Sequence, residues 1–74
     1  MFDNSILLIK AKGLPDRPGV YIMKDNNEII IYIGKSKKLR NRVSSYFYNL
    51  KDRSTKIENL VTNVTDFEYV LCDV

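Results

Sequence analysis

"GVYIMKDNNEIIIYIGKSKKLRNRVSSYF", from Gly19 to Phe47, decides how this chain folds. Val20 to Lys24 reads as a strand, and Glu28 to Ile33, with its isoleucines, as a second. Between them lie Asn26 and Asn27. Asparagine tolerates a positive φ, so the pair suits a two-residue hairpin turn of type I′. That turn sets Asp25 opposite Glu28 and Tyr21 directly opposite Tyr32, on one face of the sheet. Gly34 is expected to end the strand, and Ser36 to cap a helix from Lys37 to about Asn49. Leu39, Val43, Tyr46, Phe47 and Leu50 form a single apolar stripe along it. Arg42 lies at the stripe's edge, one turn before Tyr46.

Outward from this stretch, Asn4 to Lys12 suits a short opening helix. Gly13 to Gly19, with two prolines and two glycines, is a loop. Thr55 to Asn63 suits a further helix, with Ile57, Leu60, Val61 and Val64 on or near one face. Asp66 to Leu71 reads as a third strand, with Phe67, Tyr69 and Leu71 on one side. The fold class is therefore α+β, a small three-stranded antiparallel sheet flanked by helices. Residues 1–74 make one small domain. No closing element follows the third strand, so this stretch is expected to be a fragment of a longer chain.

The net charge is only +3, but it is unevenly placed. From Lys35 to Lys56 there are eight basic residues and one acid, Asp52, for a net +7 against −4 elsewhere. Lys35, Lys37, Lys38, Arg40 and Arg42 form a candidate surface for a polyanion, DNA above all. A charge run is more often a solvated helix face, and the near absence of balancing acids argues against that here. The single cysteine, Cys72, excludes an internal disulfide and fits a reducing, cytoplasmic setting. No apolar run approaches the ~20 residues that span a bilayer.

The chain has no histidine, which removes the usual general base and the common zinc sites. It has no phosphate-binding Gly-x-x-x-x-Gly-Lys-Ser/Thr loop. Chemistry must then come from tyrosine, lysine and arginine, with or without a metal. Taken singly, Tyr21 and Tyr32 read as strand aromatics and Tyr46 as core. Tyr21 and Tyr32 together with Lys35 and Arg42 suit a phosphodiester: two phenols and two cations around one anion.

Gly19-Val20-Tyr21, ten residues, and then Tyr32-Ile33-Gly34 resembles the signature of the GIY-YIG nuclease superfamily. "PGVYIMKD", "IYIGKSKKLRNRVSSYF" and "FEYVLCDV" resemble in particular its UvrC branch, the nuclease subunits of bacterial excision repair. The resemblance implies a DNA endonuclease that cuts 3′ of a lesion in nucleotide excision repair, with one Mg²⁺ or Mn²⁺. It implies Tyr32 as the base or water-orienting phenol and Tyr21 as its support, or the reverse. Lys35 would lower a phenol pKa or bind phosphate, Arg42 would stabilise phosphate charge, and Tyr46 would hydrogen-bond nearby. Gly19 and Gly34 complete the motif. It also implies a UvrB-like partner, bound through regions outside this chain. The family's metal-binding glutamate lies on a helix after the third strand, and neither Glu58 nor Glu68 matches it. These 74 residues are therefore expected to be truncated at the C-terminal end and inactive alone. The alternatives are a DNA- or partner-binding module without catalysis, or a stand-alone nuclease of the same superfamily.

Overall fold

The computed structural model describes residues 5–48 and 55–72. Six elements follow in order: α1 (Ser5–Lys12), β1 (Gly19–Lys24), β2 (Ile30–Ser36), α2 (Leu39–Phe47), α3 (Thr55–Asn63) and β3 (Asp66–Leu71). The strands form one antiparallel sheet in the order β2-β1-β3. The expected α+β architecture is the observed one. Asn4, Asn49, Leu50, Lys51 and Arg53 lie outside the described residues, as do the side chains of Lys56 and Ile57.

The hairpin differs from its expected form twice. The Asp25 carbonyl accepts the Glu28 N–H at 3.0 Å, and the Asp25 N–H donates to the Ile29 carbonyl at 3.0 Å. The loop is therefore Asn26-Asn27-Glu28, one residue longer than a type I′ turn. Its left-handed residue is Glu28, at φ 62°, rather than either asparagine. The Asp25 carboxylate holds the turn by accepting the N–H groups of Asn27 and Ile29. A bulge then shifts the register between Met23 and Lys24, so Met23 faces Tyr32 and Tyr21 faces Gly34. Each departure alone moves every β2 side chain to the other face. Together they move the register by two, and the faces are restored. Tyr21 and Tyr32 share a face as expected, but diagonally rather than directly opposite.

Gly34 does not end the strand, which continues through Lys35 to Ser36. The helix begins at Leu39, later than expected, with Lys38 at its N-cap and no side-chain cap. Ser36 Oγ instead accepts the Lys38 N–H at 3.1 Å, stabilising the turn between strand and helix rather than capping α2. The Leu39 N–H is taken by the Arg17 carbonyl at 3.1 Å.

The core lies on one face of the sheet. Tyr21, Met23 and Phe67 are buried there against Leu39, Val43, Tyr46 and Phe47 of α2. Leu7 and Ala11 of α1 and Val61 of α3 join the same core. Phe47 stacks on Phe67 with ring centroids 5.9 Å apart. Lys10 fastens α1 to β3 through the Asp66 carboxylate and the Phe67 carbonyl. The opposite face carries Ile22, Ile33 and Val70, the last two exposed, and the Lys24–Glu68 ion pair.

Candidate active site

Two glycines let the sheet and α2 close on each other. Neither has a positive φ, so backbone freedom is not what they supply. A Cβ on Gly34 would lie 2.2 Å from Cζ of Tyr21 and 2.3 Å from its hydroxyl. The absent side chain is the space through which the Tyr21 ring passes. A Cβ on Gly19 would lie 2.6 Å from Cδ1 of Leu39 and 2.6 Å from the Val70 carbonyl. Gly19 thus brings α2 down onto β1 beside β3.

The result is a cluster of three phenols. Tyr21 lies 6.0 Å from Tyr32 and 5.8 Å from Tyr46, centroid to centroid, and Tyr32 lies 6.4 Å from Tyr46. The Tyr21 and Tyr46 hydroxyls are hydrogen-bonded at 2.8 Å. Arg42 reaches the cluster from α2, its guanidinium 5.5 Å from the Tyr46 ring centroid. The polar contact with the Tyr21 hydroxyl, then the electrostatic influence of Tyr46 and Tyr21, raises the Arg42 pKa further, so it stays cationic. Exposure divides the cluster: Tyr21 is 1% exposed, Tyr46 4% and Tyr32 37%. Of the three, Tyr32 is the one open to solvent.

The sequence suggests that nearby cations favour ionised phenols. For Tyr46 the balance runs the other way. Burial, then the hydrogen bond with Tyr21, raises its pKa, and Arg42 opposes this without overcoming it. Tyr46 therefore keeps its proton and serves as a hydrogen-bonding phenol.

The basic run does not stay together. Arg42 joins the tyrosines. Lys35 of β2 pairs with Val20 of β1, and strand alternation points it away from the face that carries Tyr21 and Tyr32. It lies with Lys37 beside Pro18, Gly19 and Cys72. Arg40 turns to the other flank of α2, where its Nε donates to the Leu14 carbonyl at 2.8 Å. Lys38 and Arg40 share that flank with Lys12 and Ser44. Neither Lys12 nor Ser44 stands out in the sequence, because Lys12 belongs to a different helix and Ser44 is one serine of a Ser-Ser pair.

No cluster of three or more His, Cys, Asp or Glu side chains occurs among the described residues. Glu68 is engaged with Lys24 on the opposite sheet face, at 2.8 Å. Phenols and a guanidinium do not suit a hard divalent cation, which takes carboxylate and carbonyl oxygens. The described residues of the site do not by themselves fit such an ion.

A strand–loop–strand core carrying paired tyrosines, closed by a helix that adds an arginine and a third tyrosine, is the arrangement of one nuclease class. Residues 17–74 match the UvrC-like GIY-YIG domain, and the chain belongs to that family. It is 49% identical over 73 residues to UvrABC system protein C of Clostridium acetobutylicum, covering 99% of this chain and 11% of that protein. The corresponding protein of Acaryochloris marina is 49% identical over 71 residues, covering 96% of this chain and 11% of its own length. The chain thus spans about a tenth of the curated relatives that it matches. Among solved structures, it resembles the GIY-YIG N-terminal endonuclease domain of UvrC from Thermotoga maritima, bound to magnesium as its catalytic divalent cation. The TM-score is 0.76 at 32% identity, over 93% of this chain and 73% of that one. Three variants of that domain, each with a tyrosine replaced by phenylalanine, have also been solved with the divalent cation bound. Among the described residues, no helix is long and apolar enough to cross a membrane.

Proposed function

We propose that this chain is the nuclease part of a UvrC-type protein, hydrolysing a phosphodiester of DNA 3′ of a lesion during nucleotide excision repair. The observation that carries the reading is the graded burial of the tyrosine cluster: one phenol at the surface, two beneath it, and a guanidinium alongside. Tyr32 touches the attacking water or the phosphate and takes or orients the proton. Arg42 holds negative charge on the phosphate with its planar fork. Tyr21 and Tyr46 are positioning residues, which fix one another and the ring of Tyr32. Lys35 acts at most on a neighbouring phosphate, since its strand position directs it away from the phenols. In the longer protein, Mg²⁺ or Mn²⁺ would supply Lewis-acid stabilisation of the phosphate oxygens. Its carboxylate would come from the part of the relatives' domain that this chain does not cover. The 74 residues alone would then bind DNA without cutting it. A cytoplasmic setting and a UvrB-like partner outside this region belong to the same reading.

The test is single-turnover incision by the full-length protein with Tyr32→Phe, which keeps the ring and removes the hydroxyl. A loss of ~10²–10⁴-fold is expected for a group in acid–base catalysis. A variant that folds, binds metal and cuts at the parent rate removes Tyr32 from the mechanism and leaves Tyr21 as the remaining base.

A further inference from the structure

A cleft of about 230 Å³ opens between α1 and α2, on the side of α2 away from Arg42. Lys12 of α1 lines it, with Asp16 of the following loop and Lys38, Arg40, Asn41 and Ser44 around the start of α2. Ser44 and Arg42 are two residues apart, so they lie about 200° apart around the helix. This cleft is therefore distinct from the tyrosine cluster. Three cations and one carboxylate leave it positively charged. Among the described residues, Asp16 makes no ion pair within 4 Å with any of those cations. Lys12 lies over the ring of Tyr48, 5.4 Å from its centroid, at the cleft's edge. Arg40 is anchored through Nε to the Leu14 carbonyl, which leaves its terminal N–H groups.

The second observation is Ser44. It is 4% exposed, and its Oγ has no hydrogen-bond partner. A buried hydroxyl without a partner is unfavourable and calls for an acceptor. An anion with several oxygens in this cleft would take N–H donors from Asn41 and charge from Lys12, Lys38 and Arg40, and rotation of the Ser44 side chain toward the cleft would give its hydroxyl an acceptor.

We propose that this cleft is a second phosphate subsite, which holds a backbone phosphodiester of the DNA whose cleavage takes place at the tyrosine cluster. The inference rests on the nuclease reading given above. The two sites lie on opposite flanks of a helix ~10–12 Å across. One strand engaged at both is held in register across α2, and scission at Tyr32 is thereby tied to a fixed distance from the second contact. Lys12, outside the basic run, becomes a DNA contact, and Arg40 does more than fasten α2 to its neighbouring loop.

Two measurements on the chain test this. Amide NMR with inorganic phosphate reads the cleft directly, and the salt dependence of binding to a short duplex reads the DNA contact. Phosphate is expected to shift the amides of Lys12, Asn41 and Ser44. Lys12→Gln should lower the slope of log K against log salt by ~0.9, the value of one phosphate contact. Ser44→Ala should weaken duplex binding by about fivefold, the worth of one hydrogen bond. Asp16→Asn should act in the opposite direction and tighten binding. Duplex binding that all three substitutions leave unchanged overturns the subsite and leaves the nuclease reading standing. Phosphate shifts at the cleft without any duplex binding show a site for small free anions, which refutes the DNA contact and counts against the nuclease reading too.

Discussion

Replacing Gly34 by alanine puts a methyl group where the Tyr21 ring already lies. The new Cβ would stand 2.2 Å from Cζ and 2.7 Å from Cε2 of Tyr21. Carbon atoms in contact prefer ~3.5–4.0 Å, so ring and strand must separate by more than about 1 Å. The ring has little room to do so. It is 1% exposed, flanked by Tyr32 and Tyr46, and its hydroxyl is bonded to Tyr46. Overpacking of this kind costs ~1–3 kcal/mol. Alanine offsets ~0.4–1 kcal/mol by restricting the unfolded chain, since Gly34 has no positive φ. For a domain of this size, the mid-range net loss of ~1.3 kcal/mol lowers Tm by roughly 5–10 °C. Thermal melting of the chain measures the stability, and single-turnover incision by the full-length protein measures the site. A displacement of 1 Å among reacting groups costs up to ~10²-fold in rate. Pairing Gly34→Ala with Tyr21→Val should recover the stability lost to the clash, with a coupling of at least ~0.5 kcal/mol, yet not the activity. A Gly34→Ala protein with parent Tm and parent rate would refute the view that this glycine exists to make room for Tyr21.

Two further outcomes follow from the hairpin and from α1. Glu28→Gly should raise Tm by a few degrees, about 0.5 kcal/mol net, because it relieves a left-handed glutamate while loosening the unfolded chain; an unchanged or lower Tm would show that Glu28 is not strained. Burial pushes the Asp66 carboxyl up, but the Lys10 ammonium and the Phe67 N–H bring it below its ordinary value. Its contribution is therefore present above the unfolded pKa of ~3.9 and lost as pH falls through the lower folded value. Asp66→Asn should flatten that acid limb of the Tm profile by less than ~1 kcal/mol, since the pair is largely exposed; an unaltered limb would remove Asp66 from the acid response.

The sequence by itself determined the elements and which side chains are candidates for the site. A β-branched and aromatic run before Asn-Asn and an isoleucine-rich run after it require a hairpin, and the spacing of Leu39, Val43, Tyr46 and Phe47 requires a helix with one buried face. The absence of histidine leaves the phenols near Arg42 as the candidates for a base. Even the shared face of Tyr21 and Tyr32 was legible, although the register was not. A loop residue and a bulge each shift pairing by one, and only backbone hydrogen bonds across the sheet select them. Tertiary structure alone decided three further matters. It set the burial that separates Tyr32 from Tyr21 and Tyr46, which depends on how α2 descends onto Gly19. It divided Lys35, Arg40 and Arg42 among three surfaces, because strand alternation and helical rotation send neighbours in sequence to different sides. It brought Lys12 to Lys38 and Ser44, because α1 packs against the flank of α2, and a contact between distant segments has no signature in local sequence.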